Sequence, residues 1–114
     1  MPSLSKPLAL ATGSKAATGL VIAEASSVFI EPGNFQVEVG GGATATWKIV
    51  RTTDDPSSSP TWHNAEDQNA TITNTVGRSI VCQEGAGAYY NIEITAYTSG
   101  TLTARIEQGK GAVS

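Results

Sequence analysis

An all-β sandwich is the architecture this sequence predicts, and three observations carry it. Apolar and polar residues alternate with period two over several short stretches. Gly, Pro, Asn and Ser punctuate those stretches at regular spacing, and no long stretch follows the helical period. Seven or eight short strands counted this way fit a single-domain antiparallel β-sandwich, jelly-roll-like, with an extended N-terminal arm. At 114 residues the chain is one domain, able to bury a modest core without disulfide or metal support.

Residues 1–18 are small, polar and marked by Pro2 and Pro7. They read either as a frayed terminus or as a flexible arm that orders only on a partner or a neighbouring subunit, with Leu4, Leu8 and Leu10 as anchors. The sandwich domain is expected over 19–108. It opens with Leu20, Val21 and Ile22, and continues through Val28, Phe29 and Ile30 until Pro32, Gly33 and Asn34 impose a turn. Phe35, Val37 and Val39 then alternate with Gln36 and Glu38, and a long strand from Ala43 to about Thr53 follows three glycines. A three-residue glycine loop pairs Val39 with Ala43, Val37 with Ala45 and Phe35 with Trp47, so that inward residues meet.

Residues 54–60 form a hydrophilic loop, Thr61 to Ala65 a brief extended strip carrying Trp62, and Ala70 to Asn74 a further strand. Ser79 to Gln83 leads through Glu84, Gly85, Ala86 and Gly87 into the stretch expected to be the centre of the fold. There Tyr90, Ile92, Ile94 and Ala96 alternate with polar residues, as do Leu102, Ala104 and Ile106 beyond a Thr98-Ser99-Gly100 turn. A three-residue loop with Gly100 third pairs Ile94 with Ala104 and Ile92 with Ile106, and sets Glu93 against Arg105. Residues 109–114 have nothing to bury and are expected to be a mobile tail.

The chemistry is sparse. His63 is the only histidine; Ser57 to Ser59 with Asp54 and Asp55 lie near it on a loop with nothing to fix a triad. Cys82 sits within a predicted strand beside Ile80, where it reads as a small apolar residue rather than a dyad partner of His63. Asp54, Asp55, Glu66 and Asp67 lack the interleaved spacing of a calcium loop and read as solvated. Trp62, with Tyr89, Tyr90 and Tyr97, would make a sugar-stacking platform if their rings converge, Trp62 being the surface aromatic. No catalytic, metal or cofactor-binding residue is assigned. A formal charge of -3, with seven basic residues among ten acids, makes no basic stripe for nucleic acid. One cysteine suits a reducing cytoplasm, Leu8 to Ala11 is too short for a secretory signal, and no apolar run reaches the ~18 residues that span a bilayer.

The run Gly85-Ala86-Gly87-Ala88-Tyr89-Tyr90-Asn91-Ile92 through Ala96-Tyr97-Thr98-Ser99-Gly100-Thr101-Leu102 to Ile106 resembles the closing segment of small β-sandwich virion proteins of tailed bacteriophages. A strand like Ala45-Trp47-Ile49 and a mid-chain Trp62 fit the same layout, although Asn91 stands where arginine is common. The resemblance covers about residues 26–108 and is nearest to head decoration (cement) proteins. It implies a non-enzymatic protein without cofactors, made in the host cytoplasm and carried on the outer capsid surface. It also implies the major capsid protein as partner and a homo-oligomer, a trimer. Capsid contact is expected from residues 4–30, with Leu4, Leu8, Leu10, Leu20 and Ile22 foremost. The alternatives are a tail, neck or fibre component, or a carbohydrate-binding module.

Overall fold

The computed structural model describes residues 9–65 and 77–109. Its strands are β1 (Ala9–Lys15), β2 (Gly19–Leu20), β3 (Val28–Ile30), β4 (Gly33–Gly41), β5 (Thr44–Thr52), β6 (His63–Asn64), β7 (Arg78–Glu84), β8 (Ala88–Ser99) and β9 (Leu102–Gln108). One sheet has the order β1-β9-β4-β7; the other runs β2-β8-β5-β6, with β3 also on β8. We call them sheets A and B.

β5 lines one side of β8, so β2 and β3 share its other side, interrupted by a 3-10 turn at Glu24–Ser26. Taken as one broken strand, they leave eight strands paired in nested fashion. First meets last (β1–β9), second meets seventh (β2/β3–β8), third meets sixth (β4–β7) and fourth meets fifth (β5–β6), every pair antiparallel. That nesting, wound into two layers, is a jelly roll. The fold class is the one the alternation implied.

Both expected hairpins are corrected. β4 and β5 lie in different sheets, and so do β8 and β9. Gly41 to Ala43 and Gly100 to Thr101 are arches that carry the chain from one layer to the other. The face argument fails for a physical reason: facing layers turn their inward residues to the same core, so matched faces are as compatible with an arch as with a hairpin. The arches lie against each other, with the Gly42 amide donating to the Thr101 carbonyl at 3.1 Å. Glu93 consequently meets Lys48 across the β5–β8 ladder at 3.7 Å, not Arg105.

The arm is corrected too. Residues 9–15, expected within it, form β1 at the edge of sheet A along β9. Ala9, Ala11 and Gly13 face inward and Leu10, Thr12 and Ser14 outward, an alternation that residues this small conceal. Ile22, expected at a docking surface, is 2% exposed and belongs to the core, while Leu20 is half-buried and Leu10 exposed. Leu4, Leu8, the strand expected at 70–74 and most of the tail lie outside the described residues.

Trp47 and Ile49 of β5 and Tyr90, Ile92 and Ile94 of β8 pack against Phe35, Val37 and Val39 of β4, Cys82 of β7, and Leu102, Ala104 and Ile106 of β9. Trp47 fills the core as expected, and the Phe35 and Tyr90 rings meet at 4.5 Å. Each large side chain so buried contributes about 1.5–3 kcal/mol.

Asn91 closes the gap between β2 and β3. Wholly buried, it accepts from the Ile22 amide (3.1 Å) and donates to the Ile22 carbonyl (2.8 Å) and Ser27 Oγ (2.9 Å). The side-chain amide stands in for the ladder bonds the broken strand lacks. Asn91→Ala is expected to lower stability by about 2 kcal/mol, because the Ile22 groups lose their partners. Urea denaturation checks it.

Candidate functional site

Two features of the body bear on function: a buried carboxylate at one end and the open outer face of sheet A. Glu84, the last residue of β7, leads into Gly85, Ala86 and Gly87 before β8. Its carboxylate is buried and takes five hydrogen bonds. Arg51 Nε and Nη2 donate to its two oxygens at 2.8 Å each, Tyr90 Oη donates at 2.5 Å, and the Ala86 and Gly87 amides donate at 2.9 and 2.8 Å. The Arg51 bond, above all, holds the Glu84 carboxyl far below the usual carboxylate range. Burial and the neighbouring carboxylate push the Tyr90 phenol well above its ordinary value. With its lone pairs occupied and its proton lost at any ordinary pH, Glu84 is a structural clamp joining sheet B to the β7–β8 connection. The sequence placed it in a turn. Its signal is an acid just ahead of a Gly-x-Gly turn whose amides need an acceptor.

Gln108 makes a smaller clamp of the same kind: its amide donates to the Glu31 carbonyl at 2.8 Å and accepts from the Glu31 amide at 2.9 Å. Every buried side-chain nitrogen and oxygen among the described residues has a partner.

The remaining polar and aromatic side chains are scattered. Cys82 is buried in sheet A, while His63 is exposed on β6 of sheet B, so no dyad forms between them. Asp55 accepts from the Ser57 amide and hydroxyl at 3.0 and 2.8 Å, and these bonds hold its carboxyl below the ordinary value. Asp54 accepts from the Thr61 amide at 3.0 Å. Both acids thus close their own loop; Glu66 and Asp67 lie outside the described residues. Among the described residues no three His, Cys, Asp or Glu gather as metal ligands. The four aromatics of the supposed platform are dispersed. Trp62 donates its indole N–H to Glu24 at 2.7 Å, and Tyr90 is in the core. Tyr97 donates to the Gly100 carbonyl at 2.8 Å, and Tyr89 meets Phe29 edge-on at 5.1 Å.

The outer face of sheet A is built in rows fixed by strand register. One row reads Leu10, Glu107, Gln36, Val81; the next reads Thr12, Arg105, Glu38, Ser79. The first sets an exposed apolar side chain at each margin, Leu10 on β1 (46% exposed) and Val81 on β7 (70%), with polar residues between. With strands about 4.8 Å apart, these margins stand about 14 Å from each other. The second row and its neighbours Ser14 and Thr103 line a shallow groove of about 740 Å³. Arg105 is engaged there by Glu107, 2.9 Å from Nη2.

No family model matches the chain, and no curated protein matches its sequence. Among solved structures it is similar to part of the IMPa metallopeptidase of Pseudomonas aeruginosa in complex with an O-glycopeptide, at TM-score 0.55 and 14% identity; the match covers 95% of this chain and 13% of that one. A second IMPa structure matches at TM-score 0.51 and 14% identity, over 88% of this chain and 12% of the other. The chain thus spans a small part of IMPa. The SPBc2 prophage-derived protein YomS is similar at TM-score 0.38 and 10% identity, over 94% of this chain and 98% of YomS. A carbohydrate-binding module of the β-sandwich superfamily is similar at TM-score 0.37 and 12% identity, over 88% and 55%. At 14% identity the likeness to IMPa is one of fold, and a fold by itself does not carry an activity.

Proposed function

We propose that this is a non-enzymatic structural protein of a tailed-phage virion, which sits on the outer capsid surface as a homo-oligomer and stabilises the head lattice. The observation that supports this reading is the outer face of sheet A, polar over most of its area with one exposed apolar side chain at each margin, Leu10 and Val81. A face of that composition suits attachment to another protein surface, with Leu10 and Val81 as its apolar anchors. The buried polar side chains, Glu84 above all, support the same reading because they spend their hydrogen bonds on the fold. A site formed only by the assembled lattice of the major capsid protein would stabilise that lattice by mass action on docking.

Co-sedimentation with expanded capsids tests the proposal. The double variant Leu10→Asp, Val81→Asp is expected to bind the capsid about 10- to 100-fold more weakly, as loss of interface anchors does. Deleting residues 2–8 leaves β1 intact and tests the preceding segment apart from the fold. Unchanged binding by the double variant would remove this face from the mechanism. Binding to tails instead of capsids would select a tail, neck or fibre component. Binding to arrayed glycans but not capsids would select the carbohydrate-binding reading, with the hydroxyl-lined groove beside Thr103 and Arg105 as the site.

A further inference from the structure

A jelly roll has four sheet edges, and an exposed edge invites a partner strand unless it is blunted. In sheet B, the β6 edge is two residues long, and the β2/β3 edge is broken by a 3-10 turn and filled by the Asn91 amide. In sheet A both edge strands, β7 and β1, are seven residues long and run in unbroken register against their neighbours. β1 is the sheet A edge whose inner residues are all left part-exposed, whereas Cys82 and Glu84 of β7 are buried. β1 has no bulge, no proline and one charge, Lys15, at its very end. Its ladder groups on the side away from β9 have no strand beside them among the described residues. Ala9 and Ala11, on its inner face, touch the core but are only half-buried. A strand laid along β1 would finish covering them.

From this we infer that β1 pairs with β1 of a second copy of the same chain, antiparallel across a two-fold axis at Thr12, joining the two A sheets into one of eight strands. The sequence of the strand favours itself as occupant. A strand meets its own copy side by side in antiparallel fashion about a two-fold axis. Centred on Thr12, this register sets Leu10 against the partner's Ser14, Ala11 against its Gly13 and Ala9 against its Lys15. No like charges are opposed, and the two lysines stand at opposite ends of the pair, about 20 Å apart. Seven residue pairs supply about six to eight backbone hydrogen bonds. The outer faces of the two copies become continuous, so the Leu10 margins flank the axis. An assembly closed in this way is even-numbered, and replaces the trimer that the phage resemblance implies. The pairing concerns the free protein and does not depend on the capsid reading.

Light scattering coupled to size exclusion on the full chain, at about 100 μM and in the absence of capsids, is the first measurement; a dimer is expected. Thr12→Lys and Thr12→Glu each place like charges face to face at the axis and are expected to weaken association about fivefold, whereas an equimolar mixture of the two regains wild-type association or better. Should either variant fold poorly, hydrogen exchange on the wild type gives the same reading. Protection of alternate β1 amides would fall on dilution while β9 stays protected. A monomer at 100 μM, a trimer, or a dimer indifferent to both substitutions and to dilution at β1 overturns the inference.

Discussion

Replacing Glu84 by glutamine is expected to lower folding stability at neutral pH by about 3 kcal/mol, the scale on which losing one partner of a buried ion pair is felt. The shape is kept but the donor count is wrong. Arg51 loses its counter-charge, and the new amide turns N–H groups toward the Ala86 and Gly87 amides, which themselves need an acceptor. The pH dependence is the distinguishing readout. The carboxyl is depressed in the fold, so the stability it contributes is present above its unfolded value near 4.5 and is lost as pH falls toward the folded value far below. Wild type should therefore lose stability steadily as the solution is acidified below about pH 4.5, whereas Glu84→Gln should be flatter there, so that the two curves converge. Urea midpoints measured from pH 7 to pH 2 supply both. Parallel curves would mean that Glu84 is not the clamp. Tyr90→Phe, which removes one of the five donors, should show the same convergence from a smaller starting gap.

How far the fold could be read in advance follows from what period-two alternation encodes. It names the residues that face the core: Phe35, Val37, Val39, Trp47, Ile92, Ile94 and Ile106 are all buried as expected. It says nothing about which layer a strand occupies, because both layers turn the same kind of face inward. β1 leaves no such signal because Ala9, Ala11 and Gly13 carry too little apolar surface to give a period, and their place is set by the β9 strand beside them. The Glu84 clamp joins residues 33 apart in the chain, and pairing of that kind is a product of topology. Asn91 shows the converse. Its amide, in a strand otherwise built to be apolar inward and solvated outward, marks the place where the neighbouring strand breaks.

The two arches make a prediction that separates the layers from the hairpins. Gly100 has φ +82°, and a Cβ there would run into the Gly42 carbonyl oxygen and approach the Ala43 Cα at 2.8 Å. Gly100→Ala is expected to cost about 3 kcal/mol, part for the left-handed backbone (about 1–2 kcal/mol) and the rest for pushing the arches apart. Asparagine tolerates the left-handed region, so in a lone solvent-facing hairpin Gly100→Asn would restore most of the loss. Against a second arch it should not, because its Cβ meets the same backbone. Gly41, with φ +94° and a Cβ position blocked by the Thr101 carbonyl, presses on the contact from the other side. Gly41→Ala combined with Gly100→Ala should therefore cost less than the two added together, since the first already separates what the second collides with. Gly42, whose Cβ position is open, provides the control: alanine there should change stability by no more than about 0.5 kcal/mol. Thermal or urea unfolding of these variants decides it, and strict additivity together with rescue by asparagine would return the chain to two independent hairpins.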